Sequence, residues 1–507
     1  MSVSPQVVTA VIAFWTGSAS ADATETPSLF APAAAEPTTL TALPEVQALP
    51  AQPSPHLIQT LAASGFTLAI GTGWYLVDKR NVLDWDKPNL QSRFTGSSWR
   101  YDNNEFGMNF LLHPLFGAST YTFARDSHFG VAGSFLTSLL TSLTWEFVVE
   151  YNERVSINDV IVTPVAGVAL GEFAHKFGNY ISNYRKPDTN RKILRWTLSP
   201  TTQIARLGCG DELWPAHPTD SLGYASGLWH EFALSYGLFG FATNQGQSGV
   251  VQRFRTSGKL VSLPGYRQPG KSAKAFFDAD MTDVHLMVDT SAWGTGVTLE
   301  SHTTLFGYAA REMSESGNGY AHTIGVSIGY EYRNTTALGL DDRFTFVGFP
   351  GAHTDLYWSR RGLTSEIGVR LYPIFGAASV PAFQRYRTQH PNAGFKTIMS
   401  REGYFYGWGG TGQVEARQHY GKIHNAILLR AESIWSSQGL DRDQEHVTDD
   451  TKAHDLSATA ELRTWFDFSQ NFVVGIETAT KLRESRAGDV RLRLNERSLG
   501  LWLGSLF

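Results

Sequence analysis

The chain has 507 residues, enough for several domains or for one large barrel with an appendage. A net charge of −5 excludes a simple electrostatic nucleic-acid binder, and the single cysteine, Cys209, excludes internal disulfides and cysteine-rich zinc or iron–sulfur sites. Charged residues make up 18%, below the roughly 25% of soluble domains, while aromatics reach 13% with 48 glycines and 14 tryptophans. That balance suits a strand-rich or membrane-associated chain better than a cytosolic enzyme.

Residues 1–21 read as a signal peptide: Val7 to Trp15 is a short apolar core, and Ala19-Ser20-Ala21 fits small-x-small cleavage, although no Lys or Arg precedes the core. Residues 22–56 are rich in Ala, Pro, Thr and Glu without periodicity, the composition of a linker. Leu57 to Val77 is uncharged and about as long as a membrane span. Its Gly65, Ala69 and Gly73 recur every fourth residue, a spacing that lets helices approach closely.

In "NFLLHPLFGASTYTFAR", Pro114 is expected to open a helix that runs to Arg125, with His113 held extended at its cap. The helix expected over 129–151 carries Gly130, Ser134, Ser138, Ser142, Glu146 and Glu150 along one line. A further helix start is expected at Thr163-Pro164, with the stripe Thr163, Gly167, Gly171 and His175. Residues 57–186 therefore form a helical domain, a small bundle with small or polar seams.

Beyond Pro187 the period becomes two. "TIGVSIGYEYR" sets Ile324, Val326, Ile328, Tyr330 and Tyr332 against Thr323, Gly325, Ser327, Gly329, Glu331 and Arg333. "DLSATAELRTWFDF" and "NFVVGIETATKLR" alternate likewise, with similar stretches near 227–243, 296–310, 363–371, 404–418 and 422–435. Such alternation fits either a soluble sandwich or a membrane barrel. The C-terminus separates them: "SLGLWLGSLF" places Leu499, Leu501 and Leu503 at alternate positions before a terminal Phe507, resembling the signal read by the barrel assembly machinery. A last strand that pairs with the first removes the sheet edge. The expected fold is a membrane β-barrel of about twelve antiparallel strands, residues 187–507, preceded by the α-helical bundle. Closure requires Phe507's strand to meet a first strand near 191–199 or 227–243.

The ionisable residues of the helical part are few: His113, Arg125, Glu146, Glu150, Asp159, Glu172 and His175. Glu146 and Glu150 share a helix face, and Glu172 with His175 forms Glu-x-x-His, half of a di-metal bundle arrangement. A second Glu-x-x-His is missing, so neither a metal nor any cofactor is expected. A hydrolytic alternative makes His113 the general base, oriented by Glu146 or Asp159, with Arg125 on an anionic head group. Its candidate nucleophiles, Ser138 and Ser142, lack any nucleophile-elbow pattern. The bland reading is that these groups hold the helices together. Charges on the strands, such as Glu331/Arg333 and Arg430/Glu432, suit a polar lumen paired across strands.

Asn109, His113-Pro114, Gly117, Tyr121 and Arg125, then Trp145-Glu146 with Glu150, then Asp159, Thr163-Pro164, Gly167 and Gly171-Glu172 together resemble a bacterial family catalogued as domain of unknown function 3943, over roughly residues 80 to 185. His175 lies outside that pattern. The resemblance supplies no activity. It implies an exported envelope protein in which His113, Arg125, Glu146, Glu150, Asp159 and Glu172 form one constellation.

The expectation is thus an exported protein of the Gram-negative outer membrane, in contact with outer-membrane lipid and the barrel assembly machinery, with the helical domain plugging the lumen or capping its periplasmic mouth. Two alternatives stay open: an envelope-lipid-modifying hydrolase built on His113 and its carboxylates, and a passive pore or scaffold.

Overall fold

A computed structural model describes residues 54–77, 89–183, 189–209, 220, 223–224, 227–339, 341–391, 398–437, 439–440, 451–469 and 471–507. The expected signal peptide, and the expected linker up to residue 53, lie outside the described residues.

Alternating residues from Trp229 onward build strands β1 (Trp229–Thr243), β2 (Ser248–Val261), β3 (Gly270–Phe276), β4 (Met281–Ser291), β5 (Gly294–Met313), β6 (Gly319–Thr335), β7 (Asp342–Arg360), β8 (Leu363–Ser379), β9 (Tyr404–Tyr420), β10 (Ile423–Ser436), β11 (Ala453–Asp467), β12 (Phe472–Ala487) and β13 (Val490–Leu506). All pair antiparallel. β3 and β4 lie end to end along β5 as one interrupted strand, so the wall has twelve staves. Closure comes from β1 on β13, in register from Ala233↔Leu506 to Thr243↔Glu496, and the Phe232 and Phe507 backbones exchange both N–H···O bonds. The closing partner is therefore the 227–243 stretch. Residues 191–199 are not a strand, and the barrel begins at Trp229 rather than near 187.

The mouth where β1 starts and β13 ends is here the terminal rim; the opposite mouth carries the long β8–β9 connection. Outward positions are apolar, for example Leu499, Leu501, Leu503, Val474 and Ile476, all exposed. Inward positions are charged and pair across the lumen: Arg430 on β10 reaches Glu300 on β5 at 2.6 Å, Arg333 on β6 reaches Glu432 on β10 at 3.0 Å, and Arg370 on β8 reaches Asp283 on β4 at 2.8 Å. Apolar outside and polar inside is the arrangement of a membrane barrel.

The helices are α1 (Leu57–Val77), α2 (Leu90–Phe94), α3 (His113–Asp126), α4 (Val131–Thr144), α5 (Ile157–Ser182), α6 (Thr189–Leu198) and α7 (Pro200–Cys209). Helical structure thus continues past residue 186 to Cys209. His113 is not an extended cap: its φ of −61° and ψ of −46° are helical, and the chain enters α3 through a π-turn, Met108–Leu112. Pro114 has no N–H to complete an α-turn with Phe110, and the π-turn accommodates that defect. Likewise Thr163 is not a cap. α5 begins six residues earlier, at Ile157, where the Ser156 hydroxyl accepts the Asp159 N–H at 3.3 Å and Pro164 falls inside the helix.

Small residues let α3 and α5 touch. A Cβ on Gly117 would lie 2.0 Å from the Thr163 carbonyl oxygen, and one on Gly171 would lie 2.6 Å from the Tyr121 ring. The expected seam of α1 is not used: Gly65 and Gly73 have nothing within 4 Å of such a Cβ, while Gly71 is pressed against Trp145.

The bundle neither plugs the lumen nor caps the terminal rim; it packs on the outside of the wall. Glu300 and His302 of β5 point inward, so Ser301 and Thr303 between them point outward, and both hydroxyls donate to the Ala169 carbonyl of α5, at 2.8 and 3.3 Å. Tyr330, Phe375, Tyr404 and Tyr406, outward on β6, β8 and β9, share one buried cluster with Phe106, Phe110, Tyr121 and Ala169. The lumen has no room for a bundle. Ion pairs cross it, and a helix of the β8–β9 connection, α8 (Pro381–Gln389), sits in the loop-side mouth with Ala382 and Phe383 against Phe344, Phe346 and Phe405. Three helical stretches, Leu57–Val77, Val131–Val149 and Ile157–Ser182, are long and apolar enough to cross a membrane.

Candidate functional site

The six candidate residues fall into two clusters on α5, whose centres Asp159 and Glu172 are thirteen positions apart, roughly 20 Å of helix. The single expected constellation is therefore divided.

The first cluster surrounds the N-terminus of α5. His113 Nδ1 meets Asp159 Oδ1 at 3.0 Å, and the Asn158 amide donates to the same oxygen at 2.9 Å. Asp159 therefore orients His113. The Glu146 carboxylate instead accepts the Ser156 backbone N–H through Oε2 at 2.7 Å, and its Oε1 is buried without a hydrogen-bond partner. Asp102 receives its own neighbour's N–H, from Asn103, at 2.6 Å, while its backbone N–H donates to Asn158. Glu150 follows the π-turn that ends α4. Burial, then the charges of Glu153, Asp102 and Asp159, push its carboxyl up to about 8. Arg93 supplies the compensating cation: its guanidinium donates to the carbonyls of Glu146, Tyr151 and Glu153, the acceptors a helix end leaves open.

The second cluster lies between α3 and the middle of α5. Arg125 grips Glu172 with both arms, Nε to Oε2 at 2.9 Å and Nη2 to Oε1 at 3.0 Å. Tyr121 donates to Glu172 Oε2 at 2.7 Å, and Lys176 lies 3.3 Å from Oε1. The remaining Arg125 arm reaches Asp278, at the break between β3 and β4, at 3.1 Å. With every arm engaged, Arg125 has no free fork for an anionic head group. His175 turns from Glu172 to Asp126, which removes the Glu-x-x-His face.

Neither candidate nucleophile is poised. Ser138 donates to the Gly117 carbonyl at 3.1 Å, and Ser142 to the Asp159 carbonyl at 3.0 Å. Both act between helices.

Sequence reasoning missed Arg93, Asp102, Asn158 and Lys176. Lys176 carried a usable signal, its four-residue spacing from Glu172. The others carry no such spacing: Arg93 lies in the five-residue α2, Asn158 in the first turn of α5, and Asp102 in irregular chain. The outer-wall tyrosines were legible as strand residues but not as partners of helices: Asn109 donates to Tyr406 at 2.7 Å, and Tyr406 and Tyr404 donate to the carbonyls of Asp102 and Asn104 at 2.9 and 2.8 Å.

Residues 98–201 match the family described as Domain of unknown function (DUF3943). The matched segment thus holds all six candidate residues and every helix from α3 to α6, while Arg93 and Asp278 lie outside it. It begins and ends later than the 80 to 185 resemblance. No curated protein matches the chain. Similar solved structures include the outer membrane channel DcaP of Acinetobacter baumannii, at 8% identity and TM-score 0.23, covering 58% of this chain and 100% of that one. A Pseudomonas aeruginosa FadL homologue gives 8% identity and TM-score 0.26 over 59% of this chain and 95% of that one. OmpT of Vibrio cholerae, in its loop L8 deletion form, gives 6% and 0.22 over 56% and 100%.

Proposed function

We propose that the protein is an outer-membrane barrel with a structural role in the cell envelope, non-conducting, whose DUF3943 helices lie in the membrane against the barrel's outer wall. The observation that carries this reading is the outward direction of Ser301, Thr303 and Tyr330, whose hydroxyls all donate to helix carbonyls. Residues facing lipid would leave such hydroxyls without partners. Exposed Leu57, Ile58, Leu61, Ile70, Leu136 and Leu140 on the far side of the bundle support a lipid surroundings for the helices themselves. The outward leucines of the closing strand β13, Leu499, Leu501 and Leu503, support a lipid-facing barrel wall. A lumen crossed by ion pairs, with α8 in its loop-side mouth and a cavity of about 370 Å³ inside, supports a scaffold or anchoring task.

The test is fractionation with unheated and boiled gel mobility, then planar-bilayer recording of the purified full chain. Outer-membrane recovery, a heat-dependent shift and no steady conductance are expected. Recovery from the soluble periplasm, or stable porin-like currents, overturns the reading.

One observation favours a second reading, an envelope-lipid hydrolase: the His113–Asp159 pair has base-and-orienter geometry, and His113 is 18% exposed. Lipid profiles of a deletion strain complemented with wild type or His113→Ala separate the two. Identical profiles with an assembled barrel exclude the hydrolase.

A further inference from the structure

A second group of chemically able side chains lies inside the terminal rim. The β9–β10 turn is tight, with Gly421 at a φ of +60°, and it sets His419 directly across from His424. On the other side of β10, His424 faces Trp465, and Asp467 follows two residues on, on the same inward face of β11. The two imidazoles stack with centroids 4.1 Å apart and planes 3° from parallel, and the Trp465 ring stacks on His424 at 4.9 Å. His424 Nε2 lies 2.8 Å from Asp467 Oδ2. The other carboxylate oxygen, Oδ1, is buried with no hydrogen-bond partner. One ligand atom from each of His419, His424 and Asp467 falls within 4.8 Å of the others.

We propose that His419, His424 and Asp467 form a binding site for a divalent transition cation of the zinc class at the terminal rim of the lumen. Two imidazoles and one carboxylate are the donor set for such a cation; calcium and magnesium would take oxygens alone. Tetrahedral ligands about 2.1 Å from zinc stand about 3.4 Å apart, so binding requires the two imidazoles to leave their parallel stack and turn their ring edges toward one point, with His419 giving up the contact of its Nε2 with the Gly421 carbonyl at 2.6 Å. The remaining position goes to water or a small anion. Asp467 Oδ1 gains the partner it lacks. Neighbouring cations do not oppose the charge: Arg417 is held by Glu415 at 2.8 Å and Glu231 at 3.0 Å, and Lys422 lies over the outward ring of Phe466. Bound metal would tie β9, β10 and β11 together where their hairpins turn.

The test is zinc titration of the purified, detergent-folded full chain by calorimetry, with metal content measured after dialysis. His419→Phe keeps a ring in the stack and removes a ligand; Asp467→Asn keeps the shape and removes the charge. Both are first checked for the heat-dependent gel shift of a folded barrel. Wild type is expected to take up one zinc, and each variant to bind at least about tenfold more weakly, with magnesium not competing. No zinc uptake by wild type, or unchanged affinity in the folded variants, overturns the proposal.

Discussion

The hydroxyl of Tyr330, on the outer face of β6, donates to the backbone carbonyl of Phe110. Phe110 precedes Pro114 by four residues, so its carbonyl is the acceptor that an α-helix would have filled with the N–H proline lacks. The barrel wall thus completes a helix defect. This contact also places α3 outside the barrel, because Glu331, next to Tyr330, points into the lumen toward Arg430 at 3.2 Å. Tyr330→Phe is expected to cost about 1 kcal/mol of stability. In a Pro114→Ala background, where residue 114 regains its N–H, the same change should cost less. A double-mutant cycle from urea unfolding of the folded barrel measures both; equal losses in the two backgrounds would break the link.

Arg125 and Glu172 form a buried two-armed pair, so removing one member strands the other. Arg125→Met alone should destabilise by about 3–5 kcal/mol, whereas Arg125→Met with Glu172→Leu should recover most of the loss. Thermal retention of the unheated gel band reports the ranking. A single variant as stable as the double one would show that the pair is not buried in the folded protein.

Glycines in the two helical seams should behave oppositely. Gly117→Val drives a side chain into the Thr163 carbonyl and should cost about 3 kcal/mol or prevent folding. Gly65→Ala, with open space around it, should be neutral or stabilise by about 0.5–1 kcal/mol. Unfolding midpoints of the two variants check the contrast.

Glu150 gives a pH dependence of definite sign. Its carboxyl is raised from 4.5 to about 8, so the folded chain holds that proton more tightly than the unfolded one. Its contribution is fully present below the unfolded value and is lost as pH rises through about 8. Wild type should therefore unfold more easily at about pH 9 than at about pH 5 on this account, and Glu150→Gln should flatten the difference. An unchanged slope in the variant would remove Glu150 as its source.

Periodicity in the sequence determined the local elements. The two-residue alternation of Ile328, Tyr330 and Tyr332 against Glu331 and Arg333 has one solution, a strand with unlike faces, and the Leu499 to Phe507 ending named the strand that closes the barrel. Seam glycines 117, 167 and 171 were likewise readable, because only glycine admits such close helix approach. Only one proline misled the reading of helix starts. Pro114 does stand in the first turn of α3, behind a π-turn, whereas a Ser156 cap seven residues upstream of Thr163 puts Pro164 inside α5. The site residues were legible as buried polar groups but not as two clusters, since spacing along α5 does not say what faces each turn. Which side of the wall the bundle takes was beyond the sequence altogether. An apolar, small-seamed helix fits a lumen or a lipid face equally well. Tertiary structure decided it by filling the lumen with charge pairs from distant strands and by turning Ser301, Thr303 and Tyr330 outward to meet helix carbonyls. The same holds for His419, His424 and Asp467: no spacing marks them, and strand register alone brings them together.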